Sequence, residues 1–142
     1  MLEARQGREI VLRVKSRIGL LFEVSKLLAE KGVSILAVSG IVTGEECTIR
    51  LVTDDGLRTK EALTERGYEP QEESAILIEL PHKPGILKHI SDNLTREDID
   101  IYHIYATALD RNDNCLLVLH TADDEHAIPT LNRLPVAAWS EF

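Results

Sequence analysis

The sequence predicts an α+β protein made of two tandem copies of one small unit, and three observations predict it. The first is an internal repeat. Shifted by 66 residues, the distance from Ile10 to Ile76, the first half falls on the second: Gly19 meets Gly85, Ser25 meets Ser91, Leu28 meets Leu94 and Ile35 meets Ile101. After residue 43 the offset becomes 68, the distance from Cys47 to Cys115, and Leu51 meets Leu119, Asp55 meets Asp123 and Leu63 meets Leu131. The second observation is where that offset changes. The extra residues fall in LDRNDN, opposite TGEE, and insertions accumulate in surface turns. The third is the alternation, within each half, of β-branched runs with 3.6-residue apolar stripes.

The elements follow in order. An apolar strand opens each copy, over residues 9–15 (EIVLRVK) and 75–80 (AILIEL). A short loop with a glycine comes next, SRIG in the first and PHKPG in the second. A helix follows, with its stripe on Leu20, Leu21, Val24, Leu27 and Leu28, or on Ile86, Leu87, Ile90 and Leu94. Gly32 suits the position just past the first of these helices. Two strands joined by a turn come next: 33–42 with 47–53, and 99–108 with 115–120. A second helix begins near Asp54 and Asp55, or over residues 121–123, where short oxygen-bearing side chains can accept the unpaired N–H groups of a first turn. Its apolar face is Leu57 and Leu63, or Ile128, Leu131 and Leu134. Last strands are expected near 68–72 and 136–140.

The order β-α-β-β-α-β, twice, is the ferredoxin-like arrangement. Each helix has one apolar stripe, so both helices of a copy must cover one face of a four-stranded antiparallel sheet. The domains predicted are 1–73 and 74–142. No Gly/Ser/Pro linker separates them, and a lone copy of about 70 residues is near the lower limit for an independent core.

Composition narrows the function. Hydrophobic residues are 44% and charged residues 28%, which is enough apolar material for a core, and with aromatics at 4% that core must be aliphatic. The net charge of −8 and the absence of a basic run argue against nucleic acid or an anionic membrane as partner. Cys47 and Cys115 form no CxxC pair and read as buried thiols in strands. The first ten residues show no apolar run of a signal peptide, and no stretch approaches the ~20 apolar residues of a membrane helix, so a cytoplasmic protein is expected.

The segments LRVKSRIGLLFEVSKLLAEKGVSI and IELPHKPGILKHISDNLTREDIDI carry the most information. A strand, a basic residue, Pro or Ile, Gly, two aliphatics, and a helix ending before a β-branched strand resemble the ACT domain family. The resemblance spans both halves. It implies a non-catalytic protein that binds an amino acid or a related small effector, without a cofactor. Ile18 stands where the family often has proline, as at Pro84; in the second copy Asn93 interrupts the helix stripe and Asp98 replaces the terminal glycine.

Glycine lets a backbone approach a ligand closely, and the N–H groups of the following helical turn favour an anion such as a carboxylate. Carried over by position, the resemblance implies two sites. One is Ser16, Arg17, Ile18, Gly19, Leu20 and Leu21, facing residues 100–105 with Ile101, Tyr102 and His103. The other is His82, Lys83, Pro84, Gly85, Ile86 and Leu87, facing residues 34–39 with Ile35 and Leu36. The competing reading is that both glycines only close tight turns. No metal site is expected, since the histidines lack ligand spacing, although His103 and His120 lie on adjacent strands. No nucleophile elbow, P-loop or dinucleotide fingerprint is present.

The function expected is therefore an amino-acid-binding regulatory or sensor protein, a homodimer by default because sheet edges invite pairing, with any regulated enzyme on a separate chain. The alternatives are a regulatory or assembly subunit with little ligand affinity, and a small phosphatase on the same fold using Arg17.

Overall fold

In a computed structural model the described residues are 3–81, 84–108 and 114–134. The elements are β1 (Glu3–Lys15), α1 (Leu20–Glu30), β2 (Ile35–Thr43), β3 (Glu46–Thr53), α2 (Gly56–Glu65), β4 (Gln71–Pro81), α3 (Ile86–Arg96), β5 (Ile101–Ala108), β6 (Asn114–Thr121) and α4 (Asp124–Asn132). The chain divides into two compact units, one of residues 8–74 and one of residues 1–7 with 75–142. Both are α+β, with antiparallel strands and ferredoxin-like order.

In the first unit the strand order is β2-β3-β1-β4. Ile10, Leu12 and Val14 of β1 alternate onto the face that meets α1 and α2, with Cys47, Ile49 and Leu51 beside them. Helix α1 buries Leu20, Val24, Leu27 and Leu28, the i, i+4, i+7, i+8 stripe of an amphipathic helix. Leu12, Leu28, Leu51 and Leu63 are fully buried, each worth about 1.5–3 kcal/mol relative to exposure. The second unit repeats this with Ile76, Ile78 and Leu80 of β4 against Ile86, Ile90 and Leu94 of α3.

The repetition extends to irregularities. β2 shifts register between Ile35 and Ala37, leaving Leu36 as an extra residue, and β5 does the same between Ile101 and His103, leaving Tyr102. The N-caps Asp55 and Asp123 accept from Arg58 N at 3.0 Å and His126 N at 3.2 Å. Buried Thr59 and Thr130 satisfy their hydroxyls on the carbonyls of Asp55 and His126, four residues back. In the β2–β3 hairpin, Gly44 alone takes positive φ (62°), as the first central position of a type II′ turn requires.

Several expectations need correction. Leu57 is 71% exposed, and α2 instead buries Thr59, Ala62 and Leu63. Leu21 and Leu87 are half exposed, at 49% and 57%, so the stripes of α1 and α3 are narrower than the sequence suggests. The strands expected at 68–72 and 75–80 are one continuous β4. Asn93 does break the stripe of α3, but its Nδ2 donates to the Thr130 carbonyl at 3.0 Å and so joins α3 to α4.

The N-terminus departs most. β1 begins at Glu3, and residues 1–7 group with the second unit rather than with the first repeat. Ala4 sits in the second core, and the Asn132 amide brackets its backbone, accepting from Ala4 N at 2.7 Å and donating to Ala4 O at 2.9 Å. In that unit the order is β1-β4-β6-β5, so an N-terminal segment provides the strand beside β4. The strand expected at 136–140 and the turn at 109–113 lie outside the described residues.

Candidate functional site

The first glycine loop is built by two constraints. Ser16 N donates to Glu45 O at 2.7 Å, tying the end of β1 to the β2–β3 turn. Gly19 then turns the chain with φ 84° and ψ 7°, a left-handed conformation that costs a residue with a Cβ roughly 1–2 kcal/mol. Gly19 is the N-cap of α1 and supplies no side-chain acceptor, so the first turn presents its N–H groups to whatever lies outside. Gly85 repeats this at α3, with φ 87° and ψ −6°.

Around the first loop stands a polar cluster. The Arg17 guanidinium pairs with Glu23 Oε2 and donates to Tyr68 Oη at 3.0 Å; Tyr68 Oη in turn donates to Glu23 Oε1 at 3.0 Å. The hydrogen bond from Arg17 holds the Glu23 carboxyl below its usual range, and the same bond raises Arg17. Burial first, then Glu23, pushes the Tyr68 phenol up, so Tyr68 stays protonated at neutral pH. A cavity of about 210 Å³ adjoins the cluster, lined by Gly19, Phe22, Glu23, Lys26, Leu27, Glu30 and Arg66.

At the second loop, His82 and Lys83 lie outside the described residues. Pro84 is exposed and Gly85 half buried. A cavity of about 240 Å³ opens beside Gly85, with Leu80, Ile86, Leu87, Ile90 and Cys115 among its walls. Cys115 is only partly buried, unlike Cys47, which corrects the expectation of two buried thiols; burial nonetheless pushes the Cys115 thiol up.

The remaining expected residues separate by orientation. Ile18 is fully exposed at the loop tip, whereas Leu20 and Ile86 are 4% exposed and anchor the helices in their cores. Ile35 and Ile101 pack against those same cores. Leu36 and Tyr102, the bulge residues, are exposed. The His103 ring lies 5.3 Å from Tyr105 and 6.4 Å from His120, centroid to centroid. Among the described residues, no group of three or more His, Cys, Asp or Glu side chains is placed to hold a metal.

Sequence reasoning missed Glu23 and Tyr68. Glu23 carried a faint signal, an acidic residue in the first turn of α1; Tyr68 carried none, because only the fold brings it 51 positions back to Arg17.

Comparison with known proteins bears on the fold. Residues 8–66, within the first unit, match the model of the ACT domain. Among solved structures, protein BT0572 from Bacteroides thetaiotaomicron has a similar fold (TM-score 0.81, 19% identity), with 91% of this chain and 88% of that chain covered. The regulatory subunit of aspartate kinase from Thermus thermophilus, in a ligand-free form, is also similar (TM-score 0.63, 15% identity, 92% and 95% covered). So is the regulatory subunit of aspartate kinase from Thermus flavus (TM-score 0.56, 15% identity, 94% of each chain). At these identities the likeness shows the fold. No curated protein matches the sequence.

Proposed function

We propose that this chain is a non-catalytic regulatory protein that binds an amino acid at its glycine loops, and that both units are ACT domains. The observation that carries the reading is the equivalence of Gly19 and Gly85. Both take left-handed φ, both begin a helix without a side-chain cap, and each adjoins a cavity. An N–H-rich helix start suits a ligand carboxylate. Ser16 to Leu21 and His82 to Leu87 would hold the ligand on one side. The bulged strand of a neighbouring unit, at Ile35 and Leu36 or at Ile101, Tyr102 and His103, would meet it on the other, from this chain or a second copy.

The ACT match over the first unit and the fold shared with regulatory subunits of aspartate kinase support a regulatory role exercised on a separate enzyme. No described helix is long and apolar enough to cross a membrane, and a homodimer in the cytoplasm is the setting proposed. A second reading, a subunit that works mainly by contact with a partner, is favoured by edge strand β2, where Ile41 and Val42 are 58% and 56% exposed.

Thermal unfolding against the twenty amino acids, with Gly19→Val and Gly85→Val alongside, tests the proposal. A ligand that binds only the folded state raises Tm by mass action. The expected result is a selective rise that one or both glycine variants lose. No rise with any amino acid, in a folded protein, moves the reading to the contact subunit.

A further inference from the structure

We propose that the cavity at the start of α3 is a hydrocarbon-binding subsite of the second unit, sized for an uncharged aliphatic or phenyl side chain of a small ligand. Its floor is fixed core: Leu80, Ile86, Ile90 and Leu117 are 5%, 4%, 0% and 6% exposed. Its rim is open, since Leu87 is 57% exposed and Ala106 is exposed too. An entry path and a rigid, dry wall are what a hydrocarbon group requires of a site.

Size sets the upper bound. An apolar cavity of about 150 Å³ takes benzene; at about 240 Å³ this one has room for such a ring and a few atoms more. Chemistry sets the class. Among the described residues no charged side chain lines the cavity, and Cys115, a weak donor, is its most polar side chain. A charged ligand side chain placed there would lose its water and, among the described residues, gain no partner. The cavity at the first loop differs in kind, since Glu23, Lys26, Glu30 and Arg66 line it. The two loops are therefore not duplicates: the second selects for apolar side chains and the first does not.

This inference deepens the proposed function and rests on it for the ligand being an amino acid; the preference for hydrocarbon is tested apart. Cys115 is the reporter, being half buried in the cavity wall. The full-length chain carrying Cys47→Ala is alkylated with iodoacetamide near pH 9, and modification of Cys115 is followed by intact mass. The probes are 4-methylpentan-1-ol and 4-methylpentanoate, with methanol and acetate as controls. The expected result is that both longer probes slow the modification, about tenfold at ten times their Kd, and that the controls do not. Ala106→Phe at the rim, or Ala106→Val if that variant does not fold, should slow the modification by itself and reduce the probe effect.

An unchanged rate with both longer probes in the folded protein would overturn the subsite. A leucine-induced Tm rise without probe protection would leave amino-acid binding standing and remove the subsite. Probe protection with no amino acid raising Tm would do the reverse.

Discussion

The Arg17 guanidinium and the Glu23 carboxylate close on each other across the first glycine loop, with the Tyr68 hydroxyl bonded to both. The pair stands beside the start of α1. It is exposed, with side chains 49% and 34% accessible, so its effect on stability is small and screened by salt. Because the Glu23 carboxyl is held below its ordinary value of 4.5, its contribution is present above that pH and is lost as pH falls through the folded value. Glu23→Gln should therefore lower Tm slightly at pH 7, and the difference from the parent should shrink as pH falls below the ordinary carboxylate value and through the lowered folded one. Thermal scans over that range check it.

Asp98 ends α3 with φ 59°, where Gly32 ends α1 with φ 72°. In both places the next residue closes a Schellman turn, Val33 N to Leu28 O and Ile99 N to Leu94 O, each at 2.9 Å. Asp98 bears the left-handed strain that Gly32 avoids. Asp98→Gly should stabilise the protein by about 1 kcal/mol, and Gly32→Ala should destabilise it by about as much, since a Cβ at Gly32 meets only open space and the Arg58 guanidinium at 4.0 Å. Urea unfolding of the two variants reads both signs.

Glu9 is fully buried, and Arg50 Nη1 meets its carboxylate at 2.7 Å while also reaching Glu73 at 3.3 Å. Removing one partner of a buried ion pair costs about 3–5 kcal/mol because the other charge is left desolvated. Arg50→Ala should fall in that range. Arg13→Ala should cost under about 1 kcal/mol, because its pair with Glu73 is exposed on both sides. Paired denaturation curves separate the two.

Asn132 holds Ala4 by both of its backbone groups. Asn132→Ala should cost about 1–3 kcal/mol, two hydrogen bonds' worth. It should also raise amide exchange at residues 3–7 before it affects β6. Gly7→Val should act on the same strand by crowding, since even a Cβ there would come within 2.3 Å of Leu77 Cδ1.

Most of the fold was legible because its signals are local. Apolar periodicity gave the strands and the stripes of α1 and α3; Asp55, Asp123 and Gly32 marked helix ends by their own chemistry. The repeat offset located the two glycine loops, and both glycines take left-handed φ. What stayed hidden depends on distant residues. Nothing in EARQG says that Ala4 will be gripped by Asn132, and nothing near Tyr68 says that it will meet Arg17. Leu57 misled because one apolar residue in a short, polar helix fits either face, and buried Thr59, satisfied by the Asp55 carbonyl, took the inward place.

The most direct test of ligand binding at the glycine loops is the amide resonances of Gly19 and Gly85 in the full-length chain, followed as amino acids are titrated. The account predicts saturable shifts at one or both glycines and at the first-turn amides Leu20, Leu21, Ile86 and Leu87, for a small subset of amino acids. Spectra unchanged by all twenty, or shifts confined to residues away from both loops, would contradict it.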